Sequence, residues 1–424
     1  MNIAIVVIGD ELLIGQVTDT NSGFIARHIA PYGWQVKNVE VVADDPQAIA
    51  DALDRAFSLA PVVLTTGGLG PTKDDITKGV MCRYFGGELV EDAEVLENVK
   101  TVFRKRGLKL NDLTRSQAMV PSSCTVIQNR VGTAPIMWFN HTHPNGARQV
   151  LVSMPGVPFE TSEMFSTEVF PRLRAFFPSD VDVEHRTMVV ADITESDLAT
   201  RLSDYEAQLP SGFHLAYLPK PGIIRLRLDA TGCDKDTLTA QLEEQWQKLL
   251  REVGTNLLWD GDAEPAEILL RELDKKALTV ATAESCTGGN IAHQITLVPG
   301  SSSAMLGGVV SYANTVKTHL LGVDPETIRT LGAVSIPVAE QMAQGARRAT
   351  HADIAMATSG IAGPGGAVPG KPVGTVCIAV DTPWGTVSGE YHFPGNRSRV
   401  IDRATQTALI LAIRQLQTHR TIIE

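Results

Sequence analysis

No C-x-x-C pair and no cysteine-histidine cluster occurs in this chain, and its five cysteines, Cys82, Cys124, Cys233, Cys286 and Cys377, stand far apart in sequence. That excludes the common zinc-site spacings and a small disulfide framework, as suits a reducing cytosol. No stretch reaches the roughly 18 consecutive apolar residues that a membrane span needs, so no membrane partner is expected. Positive charge is also short: 48 acidic residues face 37 basic ones, a formal charge of −11. Such a chain has no global field to draw nucleic acid or an anionic membrane, and anionic ligands need local sites. Internal repeats and low-complexity tracts are missing too. The opening run Met1–Ile8 is apolar, but it has no basic segment before it and leads straight into Asp10-Glu11. It therefore reads as a first strand and not as a secretion signal. A soluble, cytoplasmic protein is expected.

What is present is enough apolar material, 43% of 424 residues, to bury several cores, and at roughly 100–200 residues per domain the length predicts two to four domains. The pattern gives three, together an α/β protein: two α/β domains with mainly parallel sheets joined by a small α+β domain. In residues 1–175 short apolar runs alternate with helical periodicity: Ile3–Ile8, Asn21–Tyr32, Val36–Val42, Gln47–Ser58, Pro61–Thr65. Strand-helix alternation of this kind predicts a parallel sheet covered on both faces, with ligands at the carboxyl ends of its strands. Residues 176–256 read as strand Arg186–Ala191, helix Glu195–Leu209, strands His214–Leu218 and Ile223–Leu228, and a charged helix Lys235–Val253. The segment from Leu257 to Pro265 reads as an exit and linker. Residues 257–424 return to α/β, ending in a long helix Asn396–His419.

Three turns rich in small residues carry the chemistry of the last domain: Thr282-Ala283-Glu284-Ser285-Cys286-Thr287-Gly288-Gly289, Ser311-Tyr312-Ala313-Asn314-Thr315-Val316-Lys317, and Thr358-Ser359-Gly360-Ile361-Ala362-Gly363-Pro364-Gly365-Gly366. In the first, a strand is predicted to end just before Ser285 and a helix to begin just after it. A hydroxyl there would meet unpaired helix amides able to stabilise an oxyanion, although a serine at that place serves equally well as a helix N-cap. A serine nucleophile needs a base, and a lysine with a lowered pKa can be one. Lys317 and Tyr312 could converge on Ser285; a solvated lysine and an interface tyrosine fit the same pattern. Cys286 is intrinsically the better nucleophile, but adjacent helical side chains diverge by about 100°, so only one of the two can face a substrate. The run Gly365–Pro372 has P-loop spacing up to Lys371, but Pro372 stands where a magnesium-binding hydroxyl belongs, which excludes an ATPase.

Together, in this order and spacing, the three segments resemble those of the CinA family and its C-terminal nicotinamide mononucleotide deamidase domain. The resemblance implies that Ser285 attacks the carboxamide carbon, that Tyr312 and Lys317 are the activating pair, and that Gly288, Gly289, Ser359, Gly363 and Gly365 line the site. It implies Arg397 as a phosphate ligand and no cofactor for the deamidase. The domain, from Pro265 onward, is expected to be self-contained.

The first domain carries Gly9-Asp10-Glu11 and Gly67-Gly68-Leu69-Gly70-Pro71-Thr72-Lys73-Asp74-Asp75 after two of its strands. Glycines there let backbone amides approach a phosphate, and carboxylates could hold magnesium against it; a tight turn accounts for the glycines equally well. With Gly132-Thr133-Ala134-Pro135, these loops resemble the molybdopterin-binding domain shared by molybdenum-cofactor proteins and CinA. The resemblance implies an ADP-ribose pyrophosphatase with Gly67, Gly68 and Gly70 on the substrate and Asp10, Asp74 and Asp75 on a divalent metal such as magnesium. The middle segment resembles the KH-like module between the two, yet it has no G-x-x-G loop, so no nucleic acid is expected and a spacer or dimerisation role fits better. The expected partners are pyridine nucleotides and a second copy of the chain in a homodimer. A molybdopterin-binding protein, or a competence or DNA-repair accessory without catalysis, is the alternative.

Overall fold

The structure, a computed structural model, describes residues 1–72, 75–178, 182–232 and 234–419. These form two compact units, one of residues 1–184 with 231–239 and one of residues 185–230 with 240–424. None of the described helices is long and apolar enough to cross a membrane.

The first unit is built on β1 (Asn2–Ile8), β2 (Gln35–Val42), β3 (Val62–Thr66), β4 (Leu89–Glu91), β5 (Met119–Pro121), β6 (Thr125–Ile127), β7 (Ile136–Thr142) and β8 (Arg148–Met154). Six of them make a sheet in the order β2-β1-β3-β8-β7-β6, and β4 pairs with β5 apart from it. The pairings β1/β2, β1/β3 and β3/β8 are parallel, whereas β8/β7 and β7/β6 are antiparallel. β1 and β3 are buried almost throughout because both of their faces are covered. One covering helix, Pro46–Leu59, shows how the sequence sets its ends and its face. Asp45 caps it by accepting from the amides of Gln47 and Ala48, and Pro46 takes the first turn. Ile49, Ala52, Leu53, Ala56 and Phe57 then recur at helical spacing and are buried against the sheet. Loss of the Asp45 cap would cost about 1 kcal/mol.

The second unit holds two sheets. The middle segment contributes β9 (Asp182–Ala191), β10 (Phe213–Lys220), β11 (Ile223–Gly232) and β12 (Leu257–Asp260) in the order β10-β11-β9-β12. β12 corrects the sequence reading: the supposed linker pairs antiparallel with β9, Leu257 opposite Val190 and Asp260 opposite Met188. The C-terminal sheet, β14-β13-β15-β16-β17, contains β13 (Val280–Glu284), β14 (Met305–Val310), β15 (Ile354–Gly360), β16 (Thr375–Thr382) and β17 (Gly385–His392). β13 runs parallel to both neighbours, but β15/β16 and β16/β17 are antiparallel, so this sheet is mixed. The helix Ile336–Thr350 covers one face; Pro265–Lys275, Asn290–Thr296 and Arg397–Thr418 cover the other. Val189, Ala191, Ile223 and Leu258 of the middle segment are buried in the same apolar cluster as Leu269, Ile410 and Ile413.

Candidate functional site

Every element of the C-terminal site lies at the carboxyl ends of the parallel strands β14, β13 and β15, where a crevice is expected in an α/β sheet. A recess of about 250 Å³ opens there, lined by Ser285, Tyr312, Asn314, Lys317, Ser359 and Arg397 among others. Its volume lies just below the usual range for sites of drug-sized ligands and suits a small molecule.

Ser285 follows β13 directly and is half-buried at the wall of the recess. The helix after it does not begin at Cys286 as expected but at Asn290. Between them runs a turn in which Gly288 and Gly289 both have positive φ, 64° and 99°, a conformation that glycine takes without strain. The helix amides are not offered to a ligand either. The Glu284 carboxylate, 1% exposed, accepts from the amides of Gly289, Ile291 and Ala292 at 3.0, 3.0 and 2.9 Å and from the Thr287 hydroxyl at 2.7 Å. An acid at a helix start is favoured by both the unpaired amides and the helix dipole. The oxyanion site that the sequence placed at this helix is therefore already filled by the protein. The amides of Cys286 and Thr287, in the turn itself, have no backbone carbonyl acceptor among the described residues.

Lys317 sits on a short helix that the sequence pattern did not show, Asn314–Leu321, and is 1% exposed. Its Nζ donates to the Ser311 carbonyl at 2.6 Å, reaches the Tyr312 carbonyl at 3.5 Å, and lies 3.1 Å from Ser285 Oγ. Burial lowers the pKa of the amine, opposed in part by Cys286. A neutral amine has two hydrogens and one lone pair. In the structure the amine donates to the serine oxygen; in its neutral form two hydrogens could go to the carbonyls and the lone pair would face the serine hydroxyl. Cys286 also borders the recess but is 4% exposed, and burial pushes its thiol up to about 12, which disfavours the thiolate.

The Tyr312 hydroxyl goes elsewhere. It accepts from Arg397 Nη2 at 2.8 Å, while Arg397 Nη1 donates to the Gly363 carbonyl at 2.8 Å. The ring is 62% exposed, so Tyr312 meets the lysine only through its backbone. Ser359 is 1% exposed and its hydroxyl donates to the Ala333 carbonyl at 2.6 Å, holding the loop that forms one wall. Gly363 and Gly365 line the same recess. Lys371, the lysine of the P-loop-like run, donates to the carbonyls of Leu331 and Val334, and β16 follows it where a nucleotide-binding loop would enter a helix.

In the first unit the glycine turn follows β3. A Cβ on Gly67 would overlap the Ile8 carbonyl, one on Gly68 the Thr77 hydroxyl, and one on Gly70 the Asp75 carboxylate. These glycines are thus required by the packing of the chain itself. Asp75 accepts from the amides of Gly70 and Thr72 at 2.6 and 2.9 Å and from the Thr72 hydroxyl, which commits both of its oxygens to the turn. Asp10 and Asp44 exchange bonds from amide to carboxylate at 3.1 and 3.2 Å, and burial, with Asp10, Glu11 and Asp75 nearby, raises the pKa of Asp44. Asp74 lies outside the described residues. Among the described residues no group of three His, Cys, Asp or Glu side chains is placed to hold a metal ion. The described carboxylates therefore do not by themselves form the metal site that the resemblance implies.

Three family models match the chain in succession: "Probable molybdopterin binding domain" over residues 4–175, "Damage-inducible protein CinA KH domain" over residues 185–257 and "CinA C-terminal domain" over residues 262–416. A CinA-like protein of Flavobacterium psychrophilum is 40% identical over 98% of this chain and 99% of its own. The chain belongs to the CinA family. A second CinA-like protein, from Gemmatimonas aurantiaca, is 42% identical over 96% of this chain and 95% of its own. Among solved structures, a competence/damage inducible protein of Agrobacterium tumefaciens is 39% identical over 37% of this chain and 97% of its own, with a TM-score of 0.35. The family membership covers all three segments, including the KH module between the two α/β parts.

Proposed function

We propose that the C-terminal domain is a serine amidohydrolase that converts nicotinamide mononucleotide to nicotinate mononucleotide and ammonia. The observation that carries this reading is the buried Lys317 amine, 3.1 Å from Ser285 Oγ and held by two carbonyls. In the first step Ser285 Oγ bonds to the carboxamide carbon and Lys317 takes the hydroxyl proton. The amine returns it to the departing nitrogen as the C–N bond breaks, releasing ammonia and leaving an acyl-serine. Water, deprotonated by the same amine, then cleaves the ester and restores the hydroxyl. The amides of Cys286 and Thr287 are the donors left for the tetrahedral oxygen, and Arg397 at the mouth is the cation for the phosphate.

Ammonia release from a panel of pyridine nucleotides tests this. Ser285→Ala is expected to abolish it, and Cys286→Ala to leave it standing. The opposite pattern would transfer the nucleophile to the cysteine.

For the first domain we propose binding of a phosphate ester at the glycine turn, with diphosphate cleavage of ADP-ribose as the reaction to assay. The recess beside Gly70, Thr72 and Asp75 supports it.

A further inference from the structure

Two buried threonines stand behind the nucleophile turn and take no part in the proposed steps. Thr287 belongs to the turn, and Thr358 lies on β15 directly opposite Glu284 in the strand register. Their hydroxyl oxygens are 2.7 Å apart. The Thr287 hydroxyl donates to Glu284 Oε2 at 2.7 Å, and a hydroxyl has one hydrogen to give, so Thr358 is the donor between the two threonines. The Cys286 thiol, also buried, shares a hydrogen bond with the Thr358 hydroxyl. With that hydroxyl's hydrogen already spent, the thiol is the donor. The four groups make one directed chain, from Cys286 through Thr358 and Thr287 to Glu284, with every hydrogen placed.

Thr358 holds the turn through its backbone too. Its carbonyl accepts from the Ser285 amide at 2.9 Å, so a single residue of β15 is bonded to Ser285, Cys286 and Thr287 in succession. The Gly288 amide closes on the Ser285 carbonyl at 3.2 Å. Only the amides of Cys286 and Thr287 are then left in this turn without an internal acceptor among the described residues, and both lie between points tied to Thr358. Donors fixed in this way need no reorganisation when charge develops on a reacting oxygen. Removing the Thr287 hydroxyl would leave the Thr358 hydrogen without its acceptor in a buried place, a defect the turn relieves by shifting.

We propose that Thr287 and Thr358 are positioning residues: the bond between their hydroxyls clamps the nucleophile turn to β15 and holds the Ser285 hydroxyl and the Cys286 and Thr287 amides in the arrangement that acyl transfer needs. Neither threonine lines the recess, so both act through the turn. The inference rests on the amidohydrolase reading of this domain. It also gives Cys286 a structural bond in place of a chemical role.

The test is steady-state ammonia release by the full chain, with kcat and KM read separately, joined to hydrogen exchange over the peptide of residues 284–289. Thr287→Val is expected to lower kcat about tenfold to hundredfold, the cost of a small misplacement of reacting groups, with KM within about twofold because the Arg397 and Tyr312 pair at the mouth is untouched. Thr358→Val, which removes one hydroxyl bond to the turn, should lower kcat about fivefold to tenfold. Thr287→Ser keeps the hydroxyl and should restore kcat to within about threefold of the parent. The double variant should be no slower than Thr287→Val by more than about twofold, since the bond the two share is already gone. Losses that multiply in the double variant, a loss that serine does not restore, or an unchanged kcat in Thr287→Val each overturn the clamp. If Thr287→Val does not fold, Thr358→Val decides in its place, and an unchanged kcat there overturns it. If the parent releases no ammonia, the amidohydrolase reading fails and exchange decides alone: the 284–289 amides should exchange faster in both valine variants and as in the parent in Thr287→Ser, and equal exchange in all of them overturns the clamp.

Discussion

Replacing Lys317 with arginine keeps a positive charge at the serine and removes the base that the proposed mechanism requires. A guanidinium does not surrender its proton in a protein, so a base is lost even though a cation remains. General-base catalysis is worth about 10²–10⁴-fold, and Lys317→Arg is expected to lower kcat about as far as Lys317→Ala or Lys317→Met. The fold should tolerate the methionine. That variant strips the 2.6 Å bond from the Ser311 carbonyl, worth about 1–3 kcal/mol where the acceptor is buried, but it also removes an amine that burial disfavours in its charged form. The two effects oppose each other, and about 1 kcal/mol moves the melting temperature of a unit this size by about 2–4 °C. The pH profile gives the second reading. Burial lowers the Lys317 pKa from 10.5, so the neutral, active form appears at lower pH, and kcat/KM should rise with pH through an inflection below 10.5. Between the folded-state pKa and 10.5 the unfolded chain binds the extra proton, so stability also rises with pH there, a slope that Lys317→Met should lose. Ammonia release with pH-dependent melting measures both. If arginine kept the rate within tenfold of the parent, or if the acid limb were unchanged in Lys317→Met, the lysine would be a charge and not a base.

Two further outcomes follow from the same geometry. Tyr312→Phe should raise KM for a phosphate-bearing substrate about threefold to tenfold by releasing Arg397, with kcat within about twofold, since removing a hydrogen bond to a charged group costs about 1.5–3 kcal/mol when buried and less when exposed; a hundredfold fall in kcat would instead return the hydroxyl to the activating pair. A fragment of residues 265–424 should melt well below one of residues 185–424, because it exposes the cluster that Val189, Ala191, Ile223 and Leu258 help to bury, each large side chain being worth about 1.5–3 kcal/mol; equal melting temperatures would show that the C-terminal part is self-contained after all.

Much of the first domain was legible because its apolar runs are short and bounded. Ile3–Ile8 and Val36–Val42 differ from β1 and β2 by one residue at the start, and Pro61–Thr65 from β3 by one residue at each end. Length and periodicity also showed the helix that begins at Pro46. β12 was hidden because its four residues, in a segment carrying Asp260, Gly261 and Pro265, have the chemistry of a linker, and only pairing with β9 makes them a strand. At the site, the residue pattern alone fits Ser285 as a helix cap and Lys317 as a solvated lysine; only the resemblance points to them, and neither pattern nor resemblance gives directions. Tyr312 stands in the right motif, yet its side chain turns to a residue 85 positions away. Glu284 looks like a surface acid beside a nucleophile until its four donors are counted.

That carboxylate has a bearing on how the nucleophile is kept in place. Glu284 ends β13, Ser285 follows, and the acid then reaches past the serine to hold the start of the next helix. The turn is thereby stapled at both ends by its own first neighbour, independently of any ligand. On the proposed reading, the ligand-free protein already carries its hydroxyl in the working position, and a substrate needs to order only the exposed Arg397 and Tyr312 at the rim. The amide protons of Gly289, Ile291 and Ala292 would then exchange with solvent equally slowly in the empty and filled protein, so that affinity changes arise at the mouth of the site and leave the seat of the chemistry still.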